Sequence, residues 1–364
     1  MRVLMDRRAE FWYANTGMGT YSSMIWRYLQ SRRPENCFLD GWGKQPEKNT
    51  DCFFWERLAA ADSFLPAGCD LFFVPHNGIG RYDYENAGCP FAVTVHDVIP
   101  YVLPETVGRG YRKIFTEQMP EILYRAAHII AVSHNTKNDL IRLGGVREEK
   151  ISVIYEGKNE IFQPLPGDFV RGCLEKYYGL DLPYILYVGG FSGRKNVVSL
   201  LYAFSRLVKS SGALKLVLVG KPSPNREALE KTARSLGIGE RIAWLADVPL
   251  WDLPLLYNGA AMLVYPSLYE GFGLPVLEAM ACGTPVITGG NSSIPEVVGR
   301  AGILLDVGDR EELAFAMELV LNSKTTSAAM SKRGIARAAG FTWEKTAEKT
   351  WKVFEKFAEF ADKC

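Results

Sequence analysis

The segment YEGFGLPVLEAMACGTPVI, residues 269–287, places two carboxylates beside three glycines and two prolines. Its acids, Glu270 and Glu278, could bind a sugar or a ribose, because one carboxylate accepts hydrogen bonds from both hydroxyls of a diol. Glycines there would let a ligand approach the backbone closely. We interpret the segment as a ligand-binding loop followed by a helix. The alternative is an ordinary surface helix that carries two solvated acids.

The residues around the two acids predict the elements that hold them. The apolar run 262–265 is typical of a strand, Pro275 suits the first turn of a helix, and Gly283 suits the end of that helix. The amino end of the helix, where unpaired N–H groups and the helix dipole favour an anion, then falls at four residues: Gly271, Phe272, Gly273 and Leu274. The sequence therefore predicts a site for a phosphate or a polar sugar at residues 271–274.

Two adjacent cations follow an earlier apolar run. Arg194 and Lys195 come after the predicted strand 184–188 and before a segment of helical length. Two positive charges at such a turn could hold a diphosphate and stabilise the negative charge of a departing nucleotide. The alternative is a basic turn at the start of a helix.

Candidate residues also follow strands in the first half of the chain. His96 and Asp97 come directly after the apolar run 91–95, at the carboxyl end of a predicted strand, where doubly wound sheets bind ligands. Asp97 could orient or deprotonate a hydroxyl group of a ligand. Gly17 and Gly19 follow the first predicted strand, although a plain turn is the default for such a pair. They do not complete a G-x-G-x-x-G fingerprint, which argues against a nicotinamide dehydrogenase.

Short apolar runs alternate with segments of helical length along the whole chain. This alternation predicts α/β architecture with parallel sheets that are covered on both faces. A second series of strands begins after the proline-rich stretch 163–168. We therefore predict two Rossmann-like doubly wound domains that face a cleft, with a boundary near Leu165.

Composition excludes several classes of protein. The 364 residues carry a net charge of only +1, whereas nucleic-acid binders are usually strongly basic. With four histidines and seven cysteines, none in a C-x-x-C pair, the sequence predicts no zinc site and suggests free thiols in a reducing cytoplasm. There is neither an apolar signal core nor an apolar run of about 18 residues, so we expect a cytoplasmic protein.

A predicted helix keeps contact with a membrane surface open. Apolar residues and four basic side chains alternate over 109–127, although Pro120 is expected to interrupt the helix. An ordinary half-buried helix is the alternative. The basic side chains are Arg109, Arg112, Lys113 and Arg125.

Several motifs, taken in order, resemble the retaining nucleotide-sugar glycosyltransferases of group 1, the family of glycogen synthase, which has the GT-B fold. The stretch 94–100, TVHDVIP, looks most like the subset that transfers mannose in bacterial polysaccharide assembly. The motifs that carry the resemblance are YEGFGLPVLEAMACGTPVI at 269–287, VGGFSGRKN at 188–196, LVG at 218–220, LY at 256–257, SSIPE at 292–296, IYEG at 154–157 and FTWEK at 341–345.

The resemblance implies roles for the candidate residues. Residues 1–165 would form an acceptor-binding domain, 166–340 a domain that binds the nucleotide sugar, and 341–364 a helix that returns to the first domain. The catalytic candidates are Asp97, His96 and Glu270, of which Glu270 and His96 would contact the transferred sugar. Among the donor-binding candidates, Glu278 would hold the ribose. The full set is Gly17, Gly19, Arg194, Lys195, Gly271, Phe272, Gly273, Leu274 and Glu278.

The resemblance also implies a reaction. A hexose, by resemblance mannose from GDP-mannose, would pass with retained configuration to a saccharide or lipid-linked acceptor in polysaccharide or lipopolysaccharide synthesis. The sequence contains no Asp-x-Asp, so we expect neither a metal nor another cofactor. A lipid-linked acceptor would fit a protein at the inner face of the plasma membrane. The alternatives are a GT-B sugar-nucleotide epimerase or phosphorylase, and a non-catalytic module that binds sugar nucleotides.

Overall fold

The chain forms two compact units, one of which is built from both ends of the sequence. The first unit comprises Met1–Gly157 and Thr342–Cys364, and the second comprises Lys158–Phe341. Residues 158–165, which we assigned to the first domain, are held by the second unit, where the Leu165 N–H donates to Asn258 Oδ1 at 2.8 Å. The structure, a computed structural model, describes residues 1–14, 16–42, 68–79, 88–181, 183–208 and 214–361.

The first unit contains a parallel sheet in the order β2-β1-β3-β4-β5-β6. All of its strands are parallel, but the order in which the chain adds strands reverses between β1 and β3. The loops after these two strands therefore meet at the carboxyl edge of the sheet. The edge strand β2 was not predicted. The strands are β1 (Arg2–Asp6), β2 (Phe38–Trp42), β3 (Leu71–Val74), β4 (Phe91–Val95), β5 (His128–Ala131) and β6 (Ile151–Val153).

Helices cover both faces of this sheet, as expected when its inner strands are apolar throughout. The second helix is capped by Thr16, whose hydroxyl accepts from the Gly19 N–H, and the fifth is capped by Ser133. The helices are α1 (Arg8–Trp12), α2 (Gly17–Ser31), α3 (Ile99–Val102), α4 (Arg109–Arg125) and α5 (His134–Gly144).

Helix α4 runs without a break through Pro120, contrary to our prediction that this proline interrupts it. Phe115, Met119 and Ile122 are buried in the apolar core of the first unit, and this packing outweighs the backbone hydrogen bond that proline removes. The apolar face of α4 thus lies against the sheet, as in the half-buried alternative. No helix in the described ranges is both long and apolar enough to cross a membrane.

The second unit contains a parallel sheet in the order β12-β11-β10-β7-β8-β9. The order in which the chain adds strands to this sheet reverses between β7 and β10, which pair directly with each other in parallel. The loops after these two strands therefore start side by side at the carboxyl edge, where such folds bind ligands. The strands are β7 (Tyr184–Val188), β8 (Lys215–Val219), β9 (Ile242–Leu245), β10 (Met262–Tyr265), β11 (Val286–Gly289) and β12 (Ile303–Leu305).

Eight helices are described in the second unit, and short 3-10 turns precede two of them. One such turn, Gly193–Lys195, lies between β7 and the next helix and carries both predicted cations. The helices are α6 (Gly167–Tyr178), α7 (Val197–Leu207), α8 (Pro224–Ser235), α9 (Leu253–Gly259), α10 (Leu274–Ala281), α11 (Ile294–Val298), α12 (Arg310–Asn322) and α13 (Lys324–Ala338).

The last helix, α14 (Trp343–Ala361), packs against α2 in the first unit. The Trp351 indole N–H donates to the Leu29 carbonyl at 3.1 Å, and the rings of Phe354 and Phe73 lie edge to face at 5.0 Å. Trp343, Trp351 and Phe354 are all buried. The prediction that the C-terminal helix returns to the N-terminal domain is therefore confirmed.

Candidate functional site

Both predicted cations converge on the first of the two predicted acids. The Arg194 guanidinium donates from Nη1 to Glu270 Oε1 at 2.9 Å, and the Lys195 ammonium donates to the same oxygen at 2.6 Å. Arg194 and Lys195 lie on the turn after β7, whereas Glu270 lies in the loop after β10. The pairing of these two strands thus brings together residues that are 75 positions apart in the sequence.

Two hydroxyls complete this cluster, and sequence reasoning missed both. Ser267 Oγ donates to Glu270 Oε1 at 2.5 Å, and the Tyr265 hydroxyl donates to it at 3.1 Å while accepting from Lys195 Nζ at 2.5 Å. Burial, with the nearby Glu270 charge, raises the pKa of Tyr265 well above its ordinary value, so the phenol stays protonated. The signal for both residues was their place at the carboxyl end of β10.

The electrostatics of the cluster keep Glu270 ionised. Burial raises the pKa of this carboxyl group, but the charges of Arg194 and Lys195 and the hydrogen bonds from Lys195 and Ser267 outweigh burial and lower the pKa to about 2. The Glu270 side chain is only 10% exposed. Two cations facing one carboxylate leave an excess of positive charge at this edge of the sheet, which favours an anionic ligand.

Hydrogen bonds to backbone groups fix the two loops that carry the cluster. The Arg194 carbonyl accepts from the Leu268 N–H at 2.7 Å, which ties the loop after β7 to the loop after β10. Ser292 Oγ accepts from the Glu270 N–H at 3.0 Å, and Ser293 Oγ donates to the Glu270 carbonyl at 2.9 Å. The SSIPE motif therefore holds the backbone on both sides of the Glu270 side chain.

The asparagine of the predicted K-N motif has a conformational role. Asn196 has φ 50° and ψ 34°, the left-handed conformation that asparagine tolerates better than most residues. Its side-chain amide donates to the Val307 carbonyl at 2.9 Å. Asn196 therefore ends the turn that presents Arg194 and Lys195 and lets α7 begin at the next residue.

The glycine-rich loop leads into α10 as predicted. The helix begins at Leu274, with Pro275 in its first turn, and Gly273 is the N-cap residue with φ 110°. Phe272 is 4% exposed, and its ring lies 5.9 Å from that of Phe341. Gly271 and Gly273 are buried as well. The binding of a phosphate or sugar by residues 271–274 stays a prediction.

Replacing Gly273 by alanine should destabilise the second unit by about 1–3 kcal/mol, because its positive φ strains any residue with a Cβ. A Cβ there would also lie 2.6 Å from Cδ1 of the fully buried Ile294. Chemical denaturation measures the change. Gly172→Ala is the matched control, because Gly172 is an exposed position of α6 with open space around it, and the change should stabilise by about 0.5–1 kcal/mol. Equal effects of the two substitutions would contradict the strain argument.

The second predicted acid, Glu278, lies in the second turn of α10 and binds a buried tyrosine. Tyr257 donates from its hydroxyl to Glu278 Oε2 at 2.8 Å. Burial, together with the charge of Glu278, raises the pKa of Tyr257 well above its ordinary value. The half-buried Glu278 side chain is thus oriented by α9, although its contact with a ribose stays a prediction.

In the first unit, His96 is buried with all of its polar atoms engaged by the protein. Its ring bonds Glu156 Oε1 from Nδ1 at 3.0 Å and the Pro75 carbonyl from Nε2 at 3.1 Å. Its N–H donates to Asn77 Oδ1 at 2.8 Å, and its carbonyl accepts from Thr136 Oγ1 at 3.2 Å. The predicted contact with a transferred sugar would thus compete with these bonds. Sequence reasoning did not connect Glu156 with His96, although Glu156 lies in the IYEG motif.

Asp97 is half-buried at the start of α3. Its Oδ1 accepts from the Ile99 N–H at 3.1 Å, and its carbonyl accepts from Asn77 Nδ2 at 3.4 Å. The side chain therefore orders the turn before α3. Its action on an acceptor hydroxyl stays a prediction.

Gly17 and Gly19 lie in the first turn of α2, and packing alone explains why residue 19 is a glycine. A Cβ at Gly19 would lie 2.1 Å from the Tyr13 carbonyl oxygen, so only glycine fits there. Its N–H donates to Thr16 Oγ1 at 3.3 Å. At Gly17 a Cβ would meet no atom within 4 Å, so packing does not explain that glycine. Donor binding by this pair stays a prediction.

The predicted site residues thus fall into two groups, one in each unit. Arg194, Lys195 and Glu270 form a single bonded cluster in the second unit, and Glu278 lies on the helix that follows it. In the first unit, His96 follows β4, and its ring lies edge to face at 4.8 Å from Tyr21, which is on the helix that begins at Gly17. Each group lies at the carboxyl edge of its own parallel sheet.

Comparisons with known proteins identify the family of the chain. Residues 179–337 match the family described as glycosyl transferases group 1, and residues 52–159 match glycosyltransferase family 4. O-antigen chain mannosyltransferase B of Escherichia coli is 31% identical over 288 residues, 78% of this chain and 72% of that protein. An MMP alpha-(1->4)-mannosyltransferase of Mycolicibacterium hassiacum is 30% identical over 293 residues, 77% of this chain and 68% of that protein.

A solved structure extends the similarity to the whole chain. Sucrose-phosphate synthase of Thermosynechococcus elongatus superposes with a TM-score of 0.79 over 99% of both chains, at 20% sequence identity. The two six-stranded units are therefore the two α/β domains of the GT-B fold, as predicted. On the family match and the 31% identity to a mannosyltransferase over most of its length, this chain belongs to the group 1 glycosyltransferases.

Proposed function

We propose that this glycosyltransferase moves mannose from GDP-mannose, with retained configuration, to a saccharide or lipid-linked acceptor in polysaccharide or lipopolysaccharide synthesis. The names of the two mannosyltransferase relatives support the sugar, and the O-antigen relative supports the pathway class. The single observation that carries the chemistry is the cluster in which Arg194 and Lys195 share Glu270.

The cluster suits the departure of a nucleoside diphosphate. As the bond between the sugar and the diphosphate breaks, negative charge grows on the leaving oxygen, and a fixed cation beside it stabilises the transition state. We assign this role to Lys195 and Arg194. Both are held in place before any ligand binds, because Glu270 already orients them. No metal is required in this scheme.

The acids would hold the two sugars of the donor. The four side chains that donate to Glu270 in this cluster all reach its Oε1, so a hydroxyl of the transferred sugar would bind through Oε2. Glu278 would accept from the ribose hydroxyls, and residues 271–274 would face the diphosphate. Because Glu270 is held ionised by two cations, we assign it to binding rather than to attack on the sugar. The acceptor hydroxyl would then attack from the face that the leaving group vacates and give its proton to the departing diphosphate.

A thermal-shift screen across GDP-, UDP-, ADP- and dTDP-sugars tests the donor. We expect GDP-mannose to raise the melting temperature most, since a ligand at 100 times its Kd stabilises by about 2.7 kcal/mol. Free GDP and free mannose, each alone, separate the contributions of the nucleotide and the sugar. A larger shift with another nucleotide would reject GDP, and no shift with any of the four would reject a sugar-nucleotide site.

Transfer itself separates the proposed reaction from its rivals. With donor and acceptor present, GDP should be released and the new linkage should keep the anomeric configuration of the donor, as proton NMR of the product shows. A chelator should leave the rate unchanged. A donor whose sugar is altered without acceptor would indicate an epimerase, a requirement for inorganic phosphate would indicate a phosphorylase, and binding without transfer would indicate a non-catalytic module.

A further inference from the structure

The geometry points to Glu156 as the positioning residue that holds His96 as a fixed imidazolium, so that His96 supplies a permanent positive charge and does not act as a base. Both ring nitrogens of His96 face acceptors, a carboxylate oxygen of Glu156 and the carbonyl of Pro75. A neutral imidazole has one N–H and can satisfy only one of them, whereas an imidazolium satisfies both. The charge state rests on these contacts, and its use in sugar transfer rests on the proposed function.

A second histidine on the same sheet edge shows the opposite arrangement. His76 Nε2 bonds Asp6 Oδ2 at 3.0 Å, but its Nδ1 accepts from the Gly78 N–H at 3.2 Å. One donor and one acceptor fit a neutral ring. Burial, with the positive charges of Arg8 and His96, lowers the pKa of His76 even though the hydrogen bond and charge of Asp6 act to raise it. The two buried histidines are therefore expected to differ in charge at neutral pH.

The charged groups around His96 favour the cation. Burial acts to lower its pKa, but the hydrogen bond and charge of Glu156, the bond to Pro75 and the charge of Asp97 outweigh burial and raise it. Among the described residues, His76, which is neutral in this arrangement, and the protonated phenol of Tyr21 also lie near the ring. A buried carboxylate and imidazolium at 3.0 Å form a charge-assisted hydrogen bond.

The segment that carries Glu156 is held by the start of the C-terminal helix. The Tyr155 carbonyl accepts from Thr346 Oγ1 at 2.8 Å, and a Cβ at Gly157 would lie 2.3 Å from the Trp343 nitrogen. Gly157 therefore has to be glycine for this close approach. Glu156 is fixed from both sides and 3% exposed, so it has little freedom to leave His96.

Aromatic side chains from two helices complete the surroundings of His96. Trp343 lies 5.6 Å from Tyr21, and Tyr21 in turn lies edge to face with His96 at 4.8 Å. Helices α2 and α14 and the loops after β4 and β6 thus all contribute to one rigid position for the imidazolium. A fixed cation of this kind acts on negative charge in a ligand through the field it creates, without giving up a proton.

Nitrogen-15 NMR of the histidine side chains tests the charge state directly, because the chain has only four histidines. His96→Gln identifies the His96 signals. We expect both His96 nitrogens to be protonated at pH 7, while His76 shows one bare nitrogen. A bare nitrogen on His96 at pH 7 in the native protein would overturn the proposal, whether or not the protein transfers mannose.

Glu156→Gln tests the positioning role. We expect His96 to bind its proton at least about tenfold more weakly in this variant, since an amide removes the paired charge. The step that His96 contributes to the pH profile of kcat/KM should then move to lower pH than in the native enzyme. Glu149→Gln, an exposed acid just before β6, should change neither measurement. An unchanged His96 signal in Glu156→Gln would contradict the role.

A double-mutant cycle separates positioning from general damage to the fold. If Glu156 acts through His96, then Glu156→Gln should cost little further activity in a His96→Gln background. Full additivity of the two losses would show that Glu156 acts independently and would reject the positioning role. If no transfer is found with any donor, the proposed function fails, and the NMR result still decides the charge state.

Discussion

Replacing Lys195 by alanine should lower the turnover number for transfer by about a hundredfold to a thousandfold, the usual cost of one preorganised group that stabilises developing charge. The charge that Lys195 faces is greatest in the transition state, when the diphosphate departs. We therefore expect kcat to fall more than the affinity for the donor. Release of GDP in the presence of acceptor measures kcat, and the thermal shift with GDP-mannose measures binding.

The fold should survive this change. Glu270 keeps Arg194, Ser267 and Tyr265 as partners when Lys195 is removed, so its carboxylate stays paired. Lys231→Ala is the matched control, because Lys231 is an exposed lysine on α8 in the same unit and should keep native turnover. Native turnover in Lys195→Ala itself would remove Lys195 from the proposed mechanism.

Replacing Glu270 by glutamine should destabilise the protein by about 3 kcal/mol at pH 7, because two cations then share a buried site without a carboxylate. The effect should depend on pH with a definite sign. In the unfolded chain Glu270 titrates near 4.5, whereas in the folded protein its pKa is about 2. Its stabilisation is therefore complete above pH 4.5 and is lost as the pH falls from 4.5 to 2, because only the unfolded chain takes up the proton in that range.

The difference in unfolding free energy between the native protein and Glu270→Gln isolates the contribution of the Glu270 carboxylate. Asp6 also has a pKa well below its ordinary value, because hydrogen bonds and charges of His76 and Arg8 outweigh burial, but it contributes equally to both proteins. Denaturation at several pH values should show the two stabilities converging towards pH 2. Glu311→Gln, at an exposed pair with Arg206, should cost less than about 1 kcal/mol. A difference that stays constant down to pH 2 would contradict the argument.

Local pattern was sufficient to predict most of the fold. The inner strands are continuous apolar runs such as 184–188 and 91–95, which are buried on both faces and therefore stand out from their surroundings. Strand β2 was missed because Phe38-Leu-Asp-Gly-Trp42 contains an Asp-Gly pair that is typical of a turn. Among the strands that the structure describes, it pairs only with β1, at the edge of the sheet, where a long apolar run is not required.

Pairing across the sheet could not be predicted in the same way. The motifs indicated that Arg194, Lys195 and Glu270 matter, but not that one oxygen of Glu270 binds both cations. That contact depends on β10 lying beside β7, which is a property of the strand order. Glu156 illustrates the same limit, since its partner His96 is 60 residues away. Its burial beside an imidazole leaves no periodic signal in the sequence.

The position of the last helix decides which of the two domains is first to have its whole chain during translation. Trp351 and Phe354 fill the first domain's core, yet they leave the ribosome only after all of Lys158–Phe341 has been made. At 5–20 residues per second, the nascent first domain waits roughly 10 to 40 s with that apolar surface uncovered. The second domain has all of its chain before the first one does. The domain whose synthesis begins first is therefore the last to finish folding.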